Sequence, residues 1–504
     1  MSRQPATVEV GTRLRLDTRQ LPARMTDALQ QHLTVANPER SKAQRSGRDP
    51  DRVPPLVQLF NREGPQLLLP RGALPLLQTQ ARQHHVPLAW VSHVVSRSTQ
   101  RVPMDDLHVE LRDYQRTAVQ ALVMGVQGYV KAPCGAGKTI IGASAAICTG
   151  EPTLVLVHTH DLLQQWVGLL RSWEYRVRSI SGGAKVALRK PLAVENGQPE
   201  FAVATVQTLT RAGAAATTLL ESAGAVLLDE AHHAPAGTFR SLLERCPARY
   251  RWGVTATPKR DDGWDVLLPL VIGPELWSTT MAELVAGGWL MLPRLLPVRS
   301  GATLDETAYR SQGGTGRANM AIATNLLAAD PDRELLLLRV CTLLAEYGRT
   351  VLLLVPRVAQ AHRLASLLQA QGVLAMAVTS DVGKGLRRQR LQHLRQRQLQ
   401  VLVATQLADE GLDVPALDAL VVASTGRAAG RAVQRVGRVM RLSPGKGEPL
   451  VVDVVDPTPF GSQWQARARA YFSELGIVAP RPQHALELLA ELEATLRCSE
   501  DAHR

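Results

Sequence analysis

Short apolar runs alternate with segments whose apolar residues recur every three or four positions, and this pattern occurs twice along the chain. Residues 108–295 and 325–456 each contain five such runs. The runs are GYVKAP, TLVLVHT, FAVATV, AVLLDE and RWGVTAT in the first stretch, and TVLLLVP, LAMAVTS, VLVAT, ALVVAS and LVVDVVD in the second. Alternating strand-like and helix-like segments predict parallel α/β sheets. We therefore expect two tandem α/β domains, with a cleft between them as the natural ligand site.

The segments outside these two stretches have other patterns. Residues 1–107 carry 15 Lys/Arg and 9 Asp/Glu, a net charge of +6, and are expected to form a small N-terminal accessory domain. It is either a DNA-binding domain or a packing module with an arginine-rich surface. The glycine-containing residues 296–324 are expected to form a flexible connector. Leucines at helical spacing predict that residues 457–504 form a helical extension packed on the preceding domain.

The composition is that of a globular protein with an affinity for polyanions. Hydrophobic residues make up 45% and charged residues 20% of the 504, which excludes disordered and collagen-like classes. The net charge of +13 is expected of proteins that contact phosphate backbones. No apolar run approaches the ~20 residues needed to span a bilayer, so we expect a cytoplasmic location and no membrane partner. The five scattered cysteines form no Cys-x-x-Cys pair, which argues for a reducing compartment and against structural zinc.

A phosphate-binding loop is predicted at Ala132–Thr139 (APCGAGKT), which follows a strand-like run and precedes the helical segment TIIGASAAI. Glycines let backbone N–H groups turn inward around phosphate oxygens. Lys138 is expected to reach the terminal phosphates as a point charge, and the Thr139 hydroxyl suits a Mg²⁺ ligand. Alanine replaces the first glycine of the usual pattern. The residues expected to cradle the phosphates are Pro133, Cys134, Gly135, Ala136 and Gly137.

A second nucleotide motif lies about ninety residues further on, where the run AVLLD ends in Asp229 and Glu230. Asp229 is expected to hold Mg²⁺, and Glu230 to orient and deprotonate the attacking water. Two adjacent acids at a strand end are by themselves compatible with solvated turn residues. Together with the P-loop they predict a site for ATP and Mg²⁺.

The motifs of residues 108–456 resemble, in their order, those of the superfamily 2 helicases and translocases with a DEAH-type box. The resemblance implies two RecA-like domains of the P-loop NTPase class, which close on ATP and reopen after hydrolysis. Arg112 and Gln115 resemble the segment whose glutamine reads adenine, since an amide both donates and accepts. Gly411 and Asp413 lie in the motif that touches nucleic acid and ribose. The residues implied to couple hydrolysis to domain movement are His232, Thr255 and Thr257.

The second α/β stretch contains a segment that resembles the family's arginine-finger motif. Gln434 would sense the γ-phosphate, while Arg438 and Arg441 would stabilise charge on the transferred phosphoryl group. The alternative is that these arginines form a solvated helix face. The residues that match the family's nucleic-acid contacts are Thr159, Gln165, Thr205, Gln207, Arg260, Arg357 and Thr405.

The segment Thr257–Gly263 (TPKRDDG) resembles a pattern of the DNA-directed members. Those members include the xeroderma-type repair helicase, phage branch-migration helicases and the helicase domains of restriction enzymes. The alternative is an exposed loop that forms its own ion pairs. The acid-free segment 384–397 either faces the phosphate backbone or is only a solvated helix face. Aromatic residues make up only 4% of the chain, which favours contacts to the backbone over base stacking.

The predicted function is that of an ATP- and Mg²⁺-dependent DNA helicase or translocase acting on a duplex, fork or junction in repair, recombination or branch migration. Three alternatives stay open. One is a motor subunit of a restriction or anti-phage system, which would need a separate nuclease or other partner protein because the flanking segments contain no nuclease motif. The others are an RNA helicase and a nucleic-acid-binding module without enzymatic activity.

Overall fold

The computed structural model describes residues 4–45, 48–98, 100–182, 185–234, 237–256, 264–303, 307, 309, 320–405, 417–423, 429–457 and 461–501. The chain divides into two compact units. The first comprises residues 1–132 and 137–278, and the second comprises residues 133–136 and 279–504. No helix in the described part of the chain is long and apolar enough to cross a membrane.

The first unit begins with a five-stranded mixed sheet of order β5-β6-β2-β1-β7. Only β1 and β7 run parallel in it. Its elements, with a separate β3–β4 ribbon, are β1 (Ala6–Val10), β2 (Arg13–Asp17), α1 (Ala23–His32), β3 (Thr34–Ala36), α2 (Pro38–Arg45), β4 (Leu56–Gln58), β5 (Asn61–Glu63), β6 (Gln66–Pro70), α3 (Leu74–Gln83) and β7 (Leu88–Ser92). In β2, apolar residues alternate with charged ones, so that one face of the sheet is buried.

The rest of the first unit is a seven-stranded parallel sheet of order β10-β13-β9-β14-β15-β8-β16. Its strands and a small β11–β12 ribbon are β8 (Gln127–Lys131), β9 (Thr153–Val157), β10 (Val177–Ile180), β11 (Val194–Glu195), β12 (Gln198–Pro199), β13 (Phe201–Thr205), β14 (Ala225–Asp229), β15 (Tyr250–Thr255) and β16 (Glu275–Ser278). The helices are α4 (Asp113–Gly125), α5 (Lys138–Thr149), α6 (His160–Ser172), α7 (Lys185–Leu188), α8 (Val206–Ala212), α9 (Thr217–Ser222), α10 (Gly237–Leu243) and α11 (Leu268–Val271).

The second unit contains a six-stranded parallel sheet of order β17-β22-β21-β18-β20-β19. Its strands are β17 (Arg294–Arg299), β18 (Val351–Leu354), β19 (Ala375–Val378), β20 (Val401–Ala404), β21 (Ala419–Val422) and β22 (Leu450–Val455). Its helices are α12 (Met281–Ala286), α13 (Met320–Ala328), α14 (Pro331–Glu346), α15 (Val358–Ala370), α16 (Lys384–Arg395), α17 (Ala429–Val439), α18 (Gly461–Leu475) and α19 (Ala485–Asp501).

The predicted fold class is confirmed, because all ten apolar runs form strands of two parallel sheets. Every residue of β9, β13 and β14 is buried, as expected where helices cover both faces of a sheet. The C-terminal extension is helical as predicted. Leu488, Leu492 and Leu496 of α19 lie in the core of the second unit.

The structure differs from the prediction in the segment between the sheets. Residues 294–299, predicted to span the end of the first domain and the start of a flexible connector, form β17 of the second sheet. They pair in parallel with β22. The connector prediction also fails at its other end, because α13 begins at Met320. Of the four glycines on which the loop prediction rested, Gly301 lies just beyond β17 with a φ of 74°, and those at 313, 314 and 316 lie outside the described residues. Local sequence cannot show that β17 finds its partner about 150 residues away.

The N-terminal sheet is packed firmly on the first parallel sheet. Arg71, 3% exposed, donates to Gln127 Oε1 at 2.8 Å and to the carbonyl of Ala248 at 2.5 Å. Gln127 Nε2 donates back to the Arg71 carbonyl at 2.9 Å. A Cβ added at Gly72 would lie 2.4 Å from the Leu270 carbonyl oxygen, so only glycine permits this approach. The N-terminal residues and the parallel sheet therefore form one body.

Candidate active site

Five motif-bearing strands end at one edge of the first parallel sheet. Because the strands are parallel, the residues that follow their C-terminal ends meet at the same edge, where ligands bind in open α/β sheets. These strands are β8 before the P-loop, β9 before Thr159, β13 ending in Thr205, β14 ending in Asp229, and β15 ending in Thr255.

The P-loop connects β8 to the N-terminus of α5, as predicted. Gly135 and Gly137 have backbone φ angles of 90° and 77°. Residues with a Cβ atom rarely adopt such values. Lys138 is the first residue of α5 and Thr139 the second. A helix N-terminus offers free N–H groups and a partial positive charge to an anion. The loop is therefore shaped to hold phosphate beside the Lys138 ammonium group.

The adenine-segment residues lie against the P-loop. Arg112 caps the N-terminus of α4, and Gln115 Oε1 accepts from its backbone N–H at 3.1 Å. Gln115 is only 3% exposed. Its Nε2 lies 2.5 Å from the position that a Cβ on Gly137 would take. The structure thus brings the predicted adenine-reading residue next to the phosphate loop, with its amide oxygen engaged in the helix cap.

The two acids differ in their surroundings. Asp229 is 3% exposed, whereas the Glu230 side chain is 23% exposed. Asp229 Oδ2 accepts from the Trp166 indole N–H at 2.8 Å, and Oδ1 accepts from the Glu230 backbone N–H at 2.9 Å. Burial, with a smaller contribution from the neighbouring Glu230 charge, raises the pKa of Asp229, while Trp166 and Lys138 act to lower it. The carboxylate is therefore a buried charge that a cation would stabilise.

The ligand chemistry at this edge suits Mg²⁺. Among the described residues, the hydrogen-bond donors to the Asp229 carboxylate are the neutral N–H groups of Trp166 and Glu230. Oxygen ligands from a carboxylate and a hydroxyl are those that Mg²⁺ prefers. Asp229 and Thr139 are the residues that would hold the ion. A bound Mg²⁺ would neutralise the buried charge and polarise phosphate oxygens.

Sequence reasoning missed the role of Trp166. The indole on α6 is fully buried and orients Asp229, although 63 residues separate them. The signal available in the sequence was only a tryptophan six residues into a helix after a motif-bearing strand. No local pattern shows that its N–H points toward an acid on another strand.

Removing this indole N–H should weaken metal-dependent turnover without unfolding the protein. We expect Trp166→Phe to raise the Mg²⁺ concentration needed for half-maximal ATPase activity by about tenfold, because residues that orient a metal ligand typically contribute 10–100-fold. The measurement is a Mg²⁺ titration of ATP hydrolysis. Trp173→Phe, at the C-terminal end of the same helix, is the matched control, and an equal effect there would contradict the assigned role.

Two of the residues predicted to couple hydrolysis to domain movement, His232 and Thr255, also lie together. His232 Nδ1 is 3.0 Å from Thr255 Oγ1 and 3.4 Å from Glu230 Oε2. His232 thus connects the acid after β14 to the end of β15. The ring of His233 lies 4.3 Å from that of His232 and 4.5 Å from that of His158. Thr257, also predicted to act in coupling, lies outside the described residues.

Of the predicted nucleic-acid contacts, three meet beside β9 and β13, which are neighbours in the sheet. Thr159 and Thr205 cap the N-termini of α6 and α8 with their side-chain oxygens. Gln207 Nε2 donates to the His158 carbonyl at 3.1 Å and so ties the two motifs together. Gln165 is half-buried on α6. Arg260 lies outside the described residues.

The second sheet brings its own motif residues to one edge. Arg357 precedes α15 after β18, and Thr405 directly follows β20, the neighbouring strand. Arg357 Nη2 donates to the Ala321 carbonyl at 2.9 Å. Gly411 and Asp413 lie outside the described residues.

The arginines of the predicted arginine-finger segment differ in exposure. Arg435 is 6% exposed, whereas Arg438 on α17 and Arg441 just beyond it are half-buried. The Lys446 ammonium group donates to the carbonyls of Val439 (2.6 Å) and Arg441 (2.8 Å), and so holds the end of this segment. Gln434 lies on α17, and its side chain is outside the description.

The basic helix α16 makes contacts that favour a structural role for part of it. Arg387 Nη2 donates to the Thr379 carbonyl at 3.2 Å. Arg390 Nη1 donates to the Ala377 carbonyl of β19. These two guanidinium groups are therefore occupied with the backbone of their own unit.

Comparisons with protein families agree with the fold. The model for the type III restriction enzyme res subunit matches residues 108–260. The model for the helicase conserved C-terminal domain matches residues 335–443. The structure has two parallel sheets, and the first has a P-loop and an Asp-Glu pair at its C-terminal edge. This arrangement is the one expected of helicases with two α/β domains. The chain is therefore an ATP-hydrolysing enzyme with helicase domains, and its motifs and fold are similar to those of the superfamily 2 helicases.

Similar proteins include a DNA translocase and a DNA helicase named XPB2 and XPB. The DNA 3'-5' translocase XPB2 of Sulfurisphaera tokodaii is 27% identical over 379 residues, which cover 69% of this chain and 82% of the relative. The DNA 3'-5' helicase XPB of Mycobacterium tuberculosis is 26% identical over 386 residues, covering 73% of this chain and 64% of the relative. The chain thus spans less than two thirds of the second relative's length.

A solved structure has a similar fold. Dbp5 of S. cerevisiae, solved bound to RNA and ADP BeF3, superposes with a TM-score of 0.56 at 13% identity and covers 77% of this chain and 93% of Dbp5. At this identity the likeness concerns the fold alone.

Proposed function

We propose that the chain is an ATP-dependent motor that moves on DNA or remodels it, with Mg²⁺ as the metal. The observation that carries this proposal is the common edge of the first parallel sheet. Residues suited to phosphate, metal, water activation and strand contact all follow strands that end at this edge. A change in the bound nucleotide can therefore act directly on the residues proposed to hold nucleic acid.

Each residue has a distinct part in the proposed cycle. Lys138 stabilises the terminal phosphates, and Asp229 with Thr139 would hold Mg²⁺. Glu230 accepts the proton of the attacking water. His232 passes the change at Glu230 to Thr255 on the neighbouring strand.

The remaining parts of the cycle are proposed for residues of the second unit. Arg438 and Arg441 stabilise the negative charge that develops on the transferred phosphoryl group, and Gln434 senses the γ-phosphate. Arg357 and Thr405 contact the nucleic acid.

We propose DNA as the nucleic-acid substrate for two reasons. The relatives XPB2 and XPB are both described as acting on DNA. The net charge of +13 suits binding to phosphate backbones without base specificity. We also propose that this activity serves repair, recombination or branch migration at a duplex, fork or junction.

The test is steady-state ATP hydrolysis by the purified chain without nucleic acid, and with single-stranded DNA, blunt duplex, a four-way junction or RNA. We expect the strongest stimulation from DNA, fading as salt is raised because counterion release drives the binding. Stimulation by RNA alone would contradict the choice of DNA while leaving the ATPase assignment in place.

A second candidate is the motor subunit of a restriction or anti-phage system. The match of residues 108–260 to the type III restriction enzyme res subunit favours it. In that case the chain would copurify with a nuclease or methylase, and that partner would be needed for stimulation by DNA. If DNA fully stimulates ATP hydrolysis by the isolated chain, this candidate is wrong.

A further inference from the structure

A groove lies at one edge of the N-terminal sheet, between α3 and β7. Strand β7 is the last in the order β5-β6-β2-β1-β7 and pairs in parallel with β1. The groove is a cavity of about 600 Å³. The lining side chains that matter here are Gln78 and Arg82 of α3, His85 just beyond it, and Leu88 and Trp90 of β7.

The Trp90 side chain is unusually exposed to solvent for its position in the sheet. It pairs with Val8 of β1, and partners in a parallel pair project on the same face. Val8 is fully buried, whereas Trp90 is 45% exposed and is the most exposed of the chain's eight tryptophans. An aromatic ring left open at the margin of a core offers a face for stacking.

The groove is also positive in character. Its lining contains Arg82 and His85 and no acidic residue. Arg82 is exposed and forms no salt bridge with the described residues. Such a cation is available to a phosphate group. Gln78 adds an amide that both donates and accepts hydrogen bonds, as the edge of a nucleobase requires.

We propose that this groove binds one unpaired nucleotide of the nucleic acid on which the motor acts. The base stacks on Trp90, and Arg82 contacts the adjoining phosphate. A cavity of about 600 Å³ lies in the usual range for small-ligand sites, and it can hold one nucleotide but not a duplex. The inference rests on the proposed function and adds to it a site for unpaired bases, carried on the same compact unit as Lys138 and Asp229.

The test is equilibrium binding of the full chain, without ATP, to a fluorescein-labelled oligothymidine and to a blunt duplex. We expect Trp90→Ala to weaken oligothymidine binding about tenfold, since stacking on one aromatic side chain is commonly worth that much or more. Trp90→Phe should restore most of the affinity. Arg82→Gln should weaken binding and reduce the slope of log K against log salt by about 0.7, the loss of one phosphate contact. Affinity for the blunt duplex should change little in all three.

Two further measurements are needed. One locates the bound base, and the other tests whether any exposed aromatic side chain has the same effect. Photocrosslinking of an oligonucleotide containing 4-thiothymidine should label a peptide that contains Trp90. Phe472→Ala removes an aromatic side chain that is 62% exposed in the second unit, and it should leave oligothymidine binding unchanged. Melting temperatures of all variants check that the fold is intact.

The outcomes separate this inference from the proposed function. If the wild-type chain binds no nucleic acid, both fail. If the wild-type chain binds and Trp90→Ala binds equally well, only the groove proposal is wrong, and the open edge of β7 is then a candidate for pairing with a peptide strand. A loss of equal size for oligothymidine and blunt duplex would also overturn it, because a site for unpaired bases must discriminate between them.

Discussion

Replacing Lys138 with alanine is expected to reduce ATP turnover by 100-fold or more while the protein stays folded. The ammonium group stands at the first position of α5, beside the P-loop glycines. No other residue of that loop carries a positive charge. Removing the Lys138 ammonium group therefore leaves the terminal phosphates without a positive charge from the loop. Losing one such electrostatic contact typically costs about 10²–10³ in kcat.

Glu230→Gln separates binding from chemistry at the same site. Glutamine keeps the shape of the side chain but cannot accept the proton of water, so we expect ATP binding to persist while kcat falls by about 10²–10⁴. ATP affinity by calorimetry and turnover by phosphate release provide the two readouts. Lys190→Ala, an exposed lysine of the same unit, is the control. Turnover retained by Lys138→Ala or Glu230→Gln would refute the catalytic assignment.

Asp453→Ala is expected to destabilise the second unit by about 3–5 kcal/mol. Asp453 on β22 is fully buried, and Arg467 of α18 forms two hydrogen bonds with it, at 2.7 and 3.0 Å. The Tyr471 hydroxyl donates to the same carboxylate at 2.8 Å. Without Asp453, the Arg467 guanidinium would stay buried without the carboxylate that accepts two of its hydrogen bonds. Because α17 packs on α18, the loss would also loosen the helix that carries Arg438.

Denaturant unfolding, followed by a probe in the second unit, measures this effect, since a chain with two units need not unfold in one step. Glu493→Ala is the matched control because its partner Arg497 is 67% exposed, and exposed pairs contribute about 0–1 kcal/mol. Asp453→Leu combined with Arg467→Met should recover much of the stability, because it removes both buried charges. Equal stability of Asp453→Ala and Glu493→Ala would contradict the prediction.

Much of the fold could be predicted because it depends on local patterns. The runs TLVLV and FAVAT are apolar except for one terminal threonine each, and in the structure they are buried strands. A continuous apolar run indicates a strand covered on both sides, whichever strands are its neighbours. The ends of the connector were predicted wrongly, because residues 296–299 belong to β17 and residues 320–324 to α13. Whether residues 294–299 form a strand depends on β22, which lies far away in the sequence.

The sequence by itself determined the two α/β units, the P-loop and the position of Asp229 and Glu230 at a strand end. These features follow from residue type and spacing within a few turns of chain. Only the tertiary structure decided that Trp166 orients Asp229 and that His232 meets Thr255. It alone also decided that Trp90 stays open beside Arg82. The reason is physical: such contacts depend on the order of strands in a sheet and on where the covering helices end, and both are set by packing between distant segments.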